Sequence, residues 1–400
     1  MHLSYCTNVH PAEDLEGVVR QLDVYAGPAR IAAGLESVGV GLWIPRDLAA
    51  RLVASREDRA VLRAALERNG LEVRTLNAFP YAAFHAEVVK LDVYRPDWTT
   101  PERLAYTIDC ARLLADLLPA GADGSISTLP LGWREGWGPE QDAAAVRQLA
   151  LLVAELRELR RSTGHAIRLA IEPEPGCILD TVEDVVAWLH PRIGLVDPAY
   201  VGVCLDTCHL AVSFADPAAA VRRIRDAGLR VVKVQASAAL HVEDPADPAA
   251  RAAVGALVEK RYLHQTRENG AGGVLRVDDL PEALDTLPGA GPWRVHFHVP
   301  LHHRPAAPLS ATTAVLAEAV SAVDAAWPYD EIHLDVETYT WAVLADAPSD
   351  LSVGIGAELA WAAEHLLTAP ARAAVLEAGA AVPPVAAVPV AALVAEEVAL

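Results

Sequence analysis

Four short apolar runs in the 400-residue chain each end in side chains able to bind a cation. LAIEPEP carries Glu172, GVCLDTCH carries Asp206 and His209, VVKVQAS carries Gln235, and EIHLDVETYTW carries Glu337. Carboxylates massed in one buried place repel, so they need a proton or a cation to coexist. Oxygen donors with one imidazole suit Mn²⁺, Mg²⁺, Co²⁺ or Zn²⁺. A divalent ion held there would act as a Lewis acid on bound substrate oxygens. The candidate metal ligands are Glu172, Asp206, Gln235 and Glu337. Any one of these acids alone would more simply be a helix N-cap or a loop ion pair; Asp206 in particular precedes a helix-like stretch. Their recurrence at successive run ends outweighs that reading.

The runs are rich in β-branched residues and read as buried strands. They alternate with helical stretches: LSYCTNV (3–9), helix near 12–36, VGVGLWI (38–44), helix 47–70, EVRTLNAF (72–79), helix 101–118, SISTLPLG (125–132), helix 142–164, IRLAIEPEP (167–175), helix 181–190, VGVCLDT (201–207), helix 216–228, RVVKVQAS (230–237) and EIHLDVET (331–338). Eight strand–helix repeats predict an α/β chain folded as a (β/α)8 barrel, whose strand carboxyl ends meet on one face. Distant residues would converge there. Glu172 and Glu174, two apart, share a strand face, and Pro173 and Pro175 end the pairing. A segment of about 240–325 breaks the repeat and reads as a large insertion before the last strand. It contains a ninth strand-like run, WRVHFHVP (293–300); an alternative puts that run in the barrel and KVQAS outside. Residues 1–345 form the expected barrel, and 346–400 a C-terminal helix and an Ala/Pro/Val-rich tail (378–400) read as a packing arm or loose end.

The formal net charge of -20 and the absence of a basic patch argue against nucleic acid. Apolar residues make up 52 %, enough for a large core. Five cysteines without a CxxC pair fit a reducing, cytoplasmic setting. No signal peptide and no 20-residue apolar run appear, so no membrane span is expected. No GxGxxG, Walker or GxSxG motif is present, which disfavours a nucleotide cofactor.

Further candidates for binding a small-molecule substrate are Asn8 and His10 after the first strand, Asn77 after the third, Glu174, His264 in YLHQ, His296, and Trp43. Trp43, Phe79 and Trp133 would form an apolar wall, though packing alone explains them. His296, His298, His302 and His303 read either as a second metal cluster or as a polar loop. His165, His190 and His365 sit at helix ends and are given no role.

Strand ends bearing Glu, then D-x-x-H, then a further ligand, then Glu resemble the xylose-isomerase-like barrels, which include sugar and sugar-phosphate isomerases and epimerases and endonuclease IV-type enzymes. More closely, LSYCTNVHP, LAIEPEPGCILDTVED, GVCLDTCHLAVSF, YLHQ, HFHVP and HLDVETYTW resemble the EboE-type metabolite traffic proteins. That resemblance implies a place in a secondary-metabolite export or biosynthesis cluster beside a UbiA-like membrane prenyltransferase, either as an isomerase/epimerase-like enzyme or as a non-catalytic small-molecule carrier. It also implies proton abstraction next to a carbonyl and return of the proton, with Glu172, Glu337 and His209 as the catalytic set: Glu172 and Glu337 ligate the metal and exchange the substrate proton, Asp206 ligates, and His209 contacts substrate. The chain departs from the epimerase pattern at Gln235, where those enzymes place a metal-binding histidine; His298, brought in by the insertion, would be the substitute ligand.

Overall fold

The computed structural model describes residues 1–328, 330–341 and 350–368, together with positions 371 and 375. Seven strands run in order through the first part of the chain: β1 (His2–Cys6), β2 (Val38–Trp43), β3 (Leu71–Asn77), β4 (Gly124–Thr128), β5 (Ile167–Ile171), β6 (Val201–Asp206) and β7 (Val231–Ala236). Five short strands follow: β8 (Leu240–Val242), β9 (Thr266–Gly270), β10 (Gly273–Val277), β11 (Trp293–Val295) and β12 (Leu309–Ala311). The last is β13 (His333–Val336). Strands β1–β7 and β13 close a parallel barrel in the order β1-β13-β7-β6-β5-β4-β3-β2. Every residue of β2, β6, β7 and β13 is buried, which is why these segments read as unbroken apolar runs rather than as alternating patterns.

The barrel floor is polar. Lys233 Nζ lies 2.8 Å from Asp335 Oδ2, with both side chains fully buried. Ser4 Oγ donates to Asp335 at 2.7 Å. Gly41 on β2 makes room for this carboxylate, since a Cβ there would stand 2.1 Å from Asp335 Oδ2. Burial alone would pull Lys233 down; the Asp335 charge outweighs it and keeps the ammonium charged.

The five short strands form a second, antiparallel sheet ordered β10-β9-β11-β8-β12. It has its own small core around Val242, Leu280, Trp293 and Val295. Buried Glu268 ties it together by accepting from Gly289 N, Ala290 N and Trp293 Nε1 at 2.7–2.9 Å. Arg267 pairs with Asp180, fastening the sheet to the loop after β5. The insertion therefore carries a sheet of its own, and KVQAS, not HFHVP, is the barrel strand. Helix Thr313–Ala326, inside the expected 240–325 insertion, packs on helix Pro217–Asp226 and belongs to the barrel's helical ring.

Several elements are shorter than their patterns suggested. The 47–70 stretch is two helices, Arg46–Ala54 and Arg56–Arg68. Ser55 turns extended between them and its Oγ caps the second by accepting from Asp58 N at 3.1 Å. The 12–36 stretch is two helices around a π turn, Leu22–Ala26. Of WRVHFHVP only Trp293–Val295 pairs as a strand. The expected C-terminal helix is present at Leu351–His365; the 378–400 tail lies outside the described residues. Among the described residues no helix is long and apolar enough to cross a membrane.

Candidate functional site

The carboxyl ends of the barrel strands bring the acids together. Glu172 is the first residue after β5, Asp206 the last of β6, and Glu337 the first after β13. One carboxylate oxygen from each lies within 4.8 Å of the others, and all three side chains are buried. Gln235, on β7, pairs in register with Asp206 at the end of β6 and is fully buried. Glu172 and Glu174 both lie beyond the end of β5 rather than on it.

Asp206 serves two ends. Its Oδ1 accepts from His209 N at 2.8 Å, capping helix Thr207–Val212, and from Ser237 Oγ at 2.9 Å. Its Oδ2 has no partner. Glu337 Oε1 accepts from Asn8 Nδ2 at 2.7 Å and Asn77 Nδ2 at 2.9 Å, so two neutral amides aim this carboxylate without cancelling its charge. Glu174 Oε1 accepts from Tyr94 Oη at 2.8 Å. Burial, reinforced by Asp206, pushes Glu337 up to about 8. Burial, then the charges of Glu337 and Asp206, push Glu172 well above the carboxylate range, and burial raises Glu174.

These groups fit a divalent cation. Glu172 Oε2, Asp206 Oδ2 and both amide atoms of Gln235 are buried without a hydrogen-bond partner. Buried polar atoms left this way cost free energy unless something else satisfies them. Oxygen donors of this kind suit Mg²⁺ or Mn²⁺ as well as Zn²⁺ or Co²⁺.

Three histidines stand beside the acids. His209 Nε2 lies 3.1 Å from His296 Nε2, which lies 3.2 Å from His298 Nε2. His209 Nδ1 is 2.9 Å from Pro173 O, His296 Nδ1 2.6 Å from Gln265 Oε1, and His298 Nδ1 2.7 Å from Glu337 O. Burial pulls His298 down to about 4 and holds His296 well below the usual imidazole range.

A pocket of about 540 Å³, counting its open mouth, sits over the rim. Glu172, Glu174, His209, His296, His298, Glu337, Asn8 and Asn77 line its polar floor. Phe79, Phe84, Val89, Val93, Tyr94, Tyr262, Leu263 and Tyr339 form its wall. Among the described residues, Lys90 is the one lysine or arginine in the lining, and it is paired to Asp279 at 2.5 Å.

Three expected substrate contacts lie elsewhere. The chain turns through a 3₁₀ helix at Thr7–Val9, which sends Asn8 inward while His10 stacks on Tyr25, ring centroids 4.4 Å apart. Trp43 stands behind Phe84 and donates its indole N–H to Pro80 O at 3.0 Å. His264 turns away from its neighbours: it bonds Glu259 and the carbonyl of His296 and stacks on Phe297. It props His296 from behind. His302 faces Trp341 rather than the floor, and Trp133 stacks on the far side of Tyr94. The sequence reading missed the wall residues Phe84, Tyr94, Tyr262 and Leu263, and also Gln265. YLHQ held the signal, but its working members are Tyr262, Leu263 and Gln265.

The model of the xylose isomerase-like TIM barrel family matches residues 30–291, well over half of the chain. Among solved structures, a xylose isomerase-like TIM barrel protein from Mycobacterium smegmatis in complex with magnesium is 13% identical, covers 90% of this chain and 97% of its own, and superposes with a TM-score of 0.50. The D-allulose 3-epimerase from Methylomonas sp. is 14% identical over 91% and 97% of the two chains, TM-score 0.48. The probable 3-DHS dehydratase AsbF from Bacillus anthracis is 14% identical over 90% and 97%, TM-score 0.45. Likeness at such identities speaks to the fold alone. No curated protein sequence matches the chain.

Proposed function

The chain belongs to the xylose isomerase-like TIM barrel family, and from there we propose that it is a divalent-metal-dependent isomerase- or epimerase-like enzyme that moves a proton on a carbon next to a carbonyl. The observation that carries this reading is the meeting of Glu172, Asp206 and Glu337 within 4.8 Å at the strand ends, with oxygens left unpartnered. Glu172, Asp206, Glu337 and the carbonyl of Gln235 would hold the cation. When bound, the cation supplies Lewis-acid stabilisation of negative charge on the substrate oxygens. Glu172 and Glu337 face the reacting carbon as base and acid, one taking the proton and the other returning it. Asn8 and Asn77 fix Glu337 in position through its Oε1. The aromatic wall excludes water from the transferred proton. Because Lys90 is already paired, the lining offers no free lysine or arginine for a phosphate among the described residues, and an uncharged polyhydroxy or keto compound is the better substrate class. His209 donates its Nδ1–H to Pro173 O, so its Nε2 presents a lone pair rather than a proton to whatever lies above it.

A second reading keeps the pocket and drops the turnover: a carrier for a small precursor in a metabolite-traffic cluster with a UbiA-like partner. The apolar wall, broader than a bare sugar requires, supports it.

Solvent exchange separates the two. A panel of ketoses and hydroxyketones is incubated with Mn²⁺-loaded protein in D₂O and followed by proton NMR. The enzyme reading requires loss of the signal at the carbon beside the carbonyl for one member, abolished in Glu337→Gln with an unchanged circular dichroism spectrum. Exchange that persists in Glu337→Gln, or binding without exchange by the wild type, rejects it.

A further inference from the structure

Glu358 is a buried carboxylate that the proposed chemistry does not use. It lies on helix Leu351–His365, which packs on helix Gly27–Ala32 outside the barrel, and it is 1% exposed. Its Oε1 accepts from Leu301 N at 2.9 Å and from Thr338 Oγ1 at 2.6 Å. Both donors are neutral, and burial lifts the carboxyl to about 7. A leucine would fill this place without the cost of a buried acid. The two bonds to one oxygen therefore call for a reason.

The reason lies in the segments that the donors belong to. Thr338 follows Glu337 directly, and Leu301 stands three residues after His298. Strand β13 ends at Val336, and Glu337 N makes the last bond to the barrel, to Ala236 O at 3.0 Å. Beyond that point the 337–340 segment is tied crosswise to the 298–301 segment. Thr340 Oγ1 donates to His298 O at 2.8 Å. His298 Nδ1 donates to Glu337 O at 2.7 Å, since a carbonyl can only accept. Glu358 fastens the same two segments from behind. With Thr338 and Thr340 held there, Glu337 and Tyr339 are the residues that line the pocket.

We propose that Glu358 is a positioning residue: from outside the pocket it clamps the two segments that carry Glu337, Tyr339 and His298, and so fixes where the Glu337 carboxylate stands. This rests on the reading of Glu337 as a cation ligand and acid–base group. The clamp needs an acceptor oxygen rather than a charge, so Glu358→Gln should preserve it and Glu358→Leu should remove it.

Hydrogen exchange followed by mass spectrometry on the metal-free protein reads the clamp itself. In Glu358→Leu the amides of 298–301 and 337–340 should exchange about tenfold faster than in the wild type, while Glu358→Gln stays within about twofold. Leu359→Ala, a truncation of a fully buried side chain on the same helix, is the control: it should lower Tm without speeding those amides. Mn²⁺ titration reads the consequence. Glu358→Leu should bind the ion about tenfold more weakly. Thr338→Val should show part of that loss, and the double variant no more than Glu358→Leu alone, because the two changes break one contact. Unchanged exchange or undiminished Mn²⁺ affinity in a folded Glu358→Leu overturns the proposal, as does equally fast exchange in Leu359→Ala. If Glu358→Leu does not fold, Thr338→Val decides: wild-type exchange or wild-type affinity in that variant overturns it. Failure of the enzyme reading looks different: the wild type takes up no Mn²⁺ or exchanges no substrate proton, while the Glu358-dependent protection of 337–340 persists.

Discussion

Replacing Glu172 by Gln should stabilise the metal-free protein and destabilise the metal-loaded one. Glu172 makes no side-chain hydrogen bond that the substitution would break, and its Oε2 is orphaned in the core. Two ionised carboxylates 4.8 Å apart, the outer limit of their separation here, repel by about 3 kcal/mol at an effective dielectric of about 20. Near neutrality most of that strain is relieved by protonation, because the surroundings raise Glu172 well above the carboxylate range. The gain from the substitution is therefore small while Glu172 stays protonated and grows toward about 3 kcal/mol as alkaline pH ionises both Glu172 and Glu337. Unfolding entropy of about 2.1 cal/mol/K per residue makes that about 4 °C in Tm for a chain of this size. Added Mn²⁺ reverses the order: the wild type gains about 2.7 kcal/mol at a hundredfold excess over its dissociation constant, while the variant, lacking a ligand, gains less. Scanning calorimetry of stripped and loaded samples at pH 7 and 9 reads all four numbers. A Glu172→Gln variant that melts lower than the wild type in the stripped state at pH 9 would refute the reasoning, because the carboxylate would then be stabilising the fold by itself.

Two further outcomes follow from the same electrostatics. Because burial and Asp206 lift Glu337 to about 8, a cation must displace a proton to bind, so Mn²⁺ affinity should rise about tenfold per pH unit or more below 8 and level off above it; titrations at pH 6.5, 7.5 and 8.5 giving one affinity would contradict the assignment. The sign for stability is opposite: a carboxylate raised in the folded state favours folding at low pH, so the stripped protein should lose stability as pH rises from the ordinary glutamate range through 8. Lys233→Met leaves Asp335 buried without its partner and should cost roughly 3–5 kcal/mol, largely recovered in Lys233→Met/Asp335→Leu; a single-variant cost below about 1 kcal/mol in thermal melts would mean that Asp335 is already neutral.

The eight barrel strands and the rim acids were legible because both follow from local chain physics. A strand buried on both faces shows as a short β-branched run, and a strand end on the active face shows where that run meets a polar residue, as at Asp206 and Glu337. The helix at 47–70 misled because its heptad-like apolar pattern runs through Ser55, whose cap is visible only once Asp58 N is seen bonded to it. The second sheet escaped because its strands are three to five residues long and β10 is largely exposed, leaving no period to read. The aromatic wall escaped for a different reason. Phe79 and the loop after it are held by Arg103, a buried guanidinium donating to Ala78 O, Phe79 O and Pro96 O, and no local pattern announces where such a loop lands. His10, Trp43 and His264 were chosen by residue type; alternation and turn geometry sent each of them behind its neighbour instead.

Charge in the barrel mouth bears directly on the carboxylate site. Glu172, Glu174, Asp206, Glu337 and, one layer beneath, Asp335 are all buried. Lys233 is the ammonium among them, and its 2.8 Å contact commits it to Asp335. Although Lys233 also pulls Glu172 and Glu337 down, burial and mutual repulsion win and both end raised. The neighbouring His296 and His298 supply little compensation, because burial disfavours their charged forms. Among the described residues no lysine or arginine is left to pair with Glu172, Glu174, Asp206 or Glu337, so histidines, protons or imported cations must offset them. Protons would suffice for a static core, but then Glu337 would have no reason to be aimed by two amides. A divalent cation at the carboxylate site would carry two of the charges needed and satisfy the orphaned oxygens.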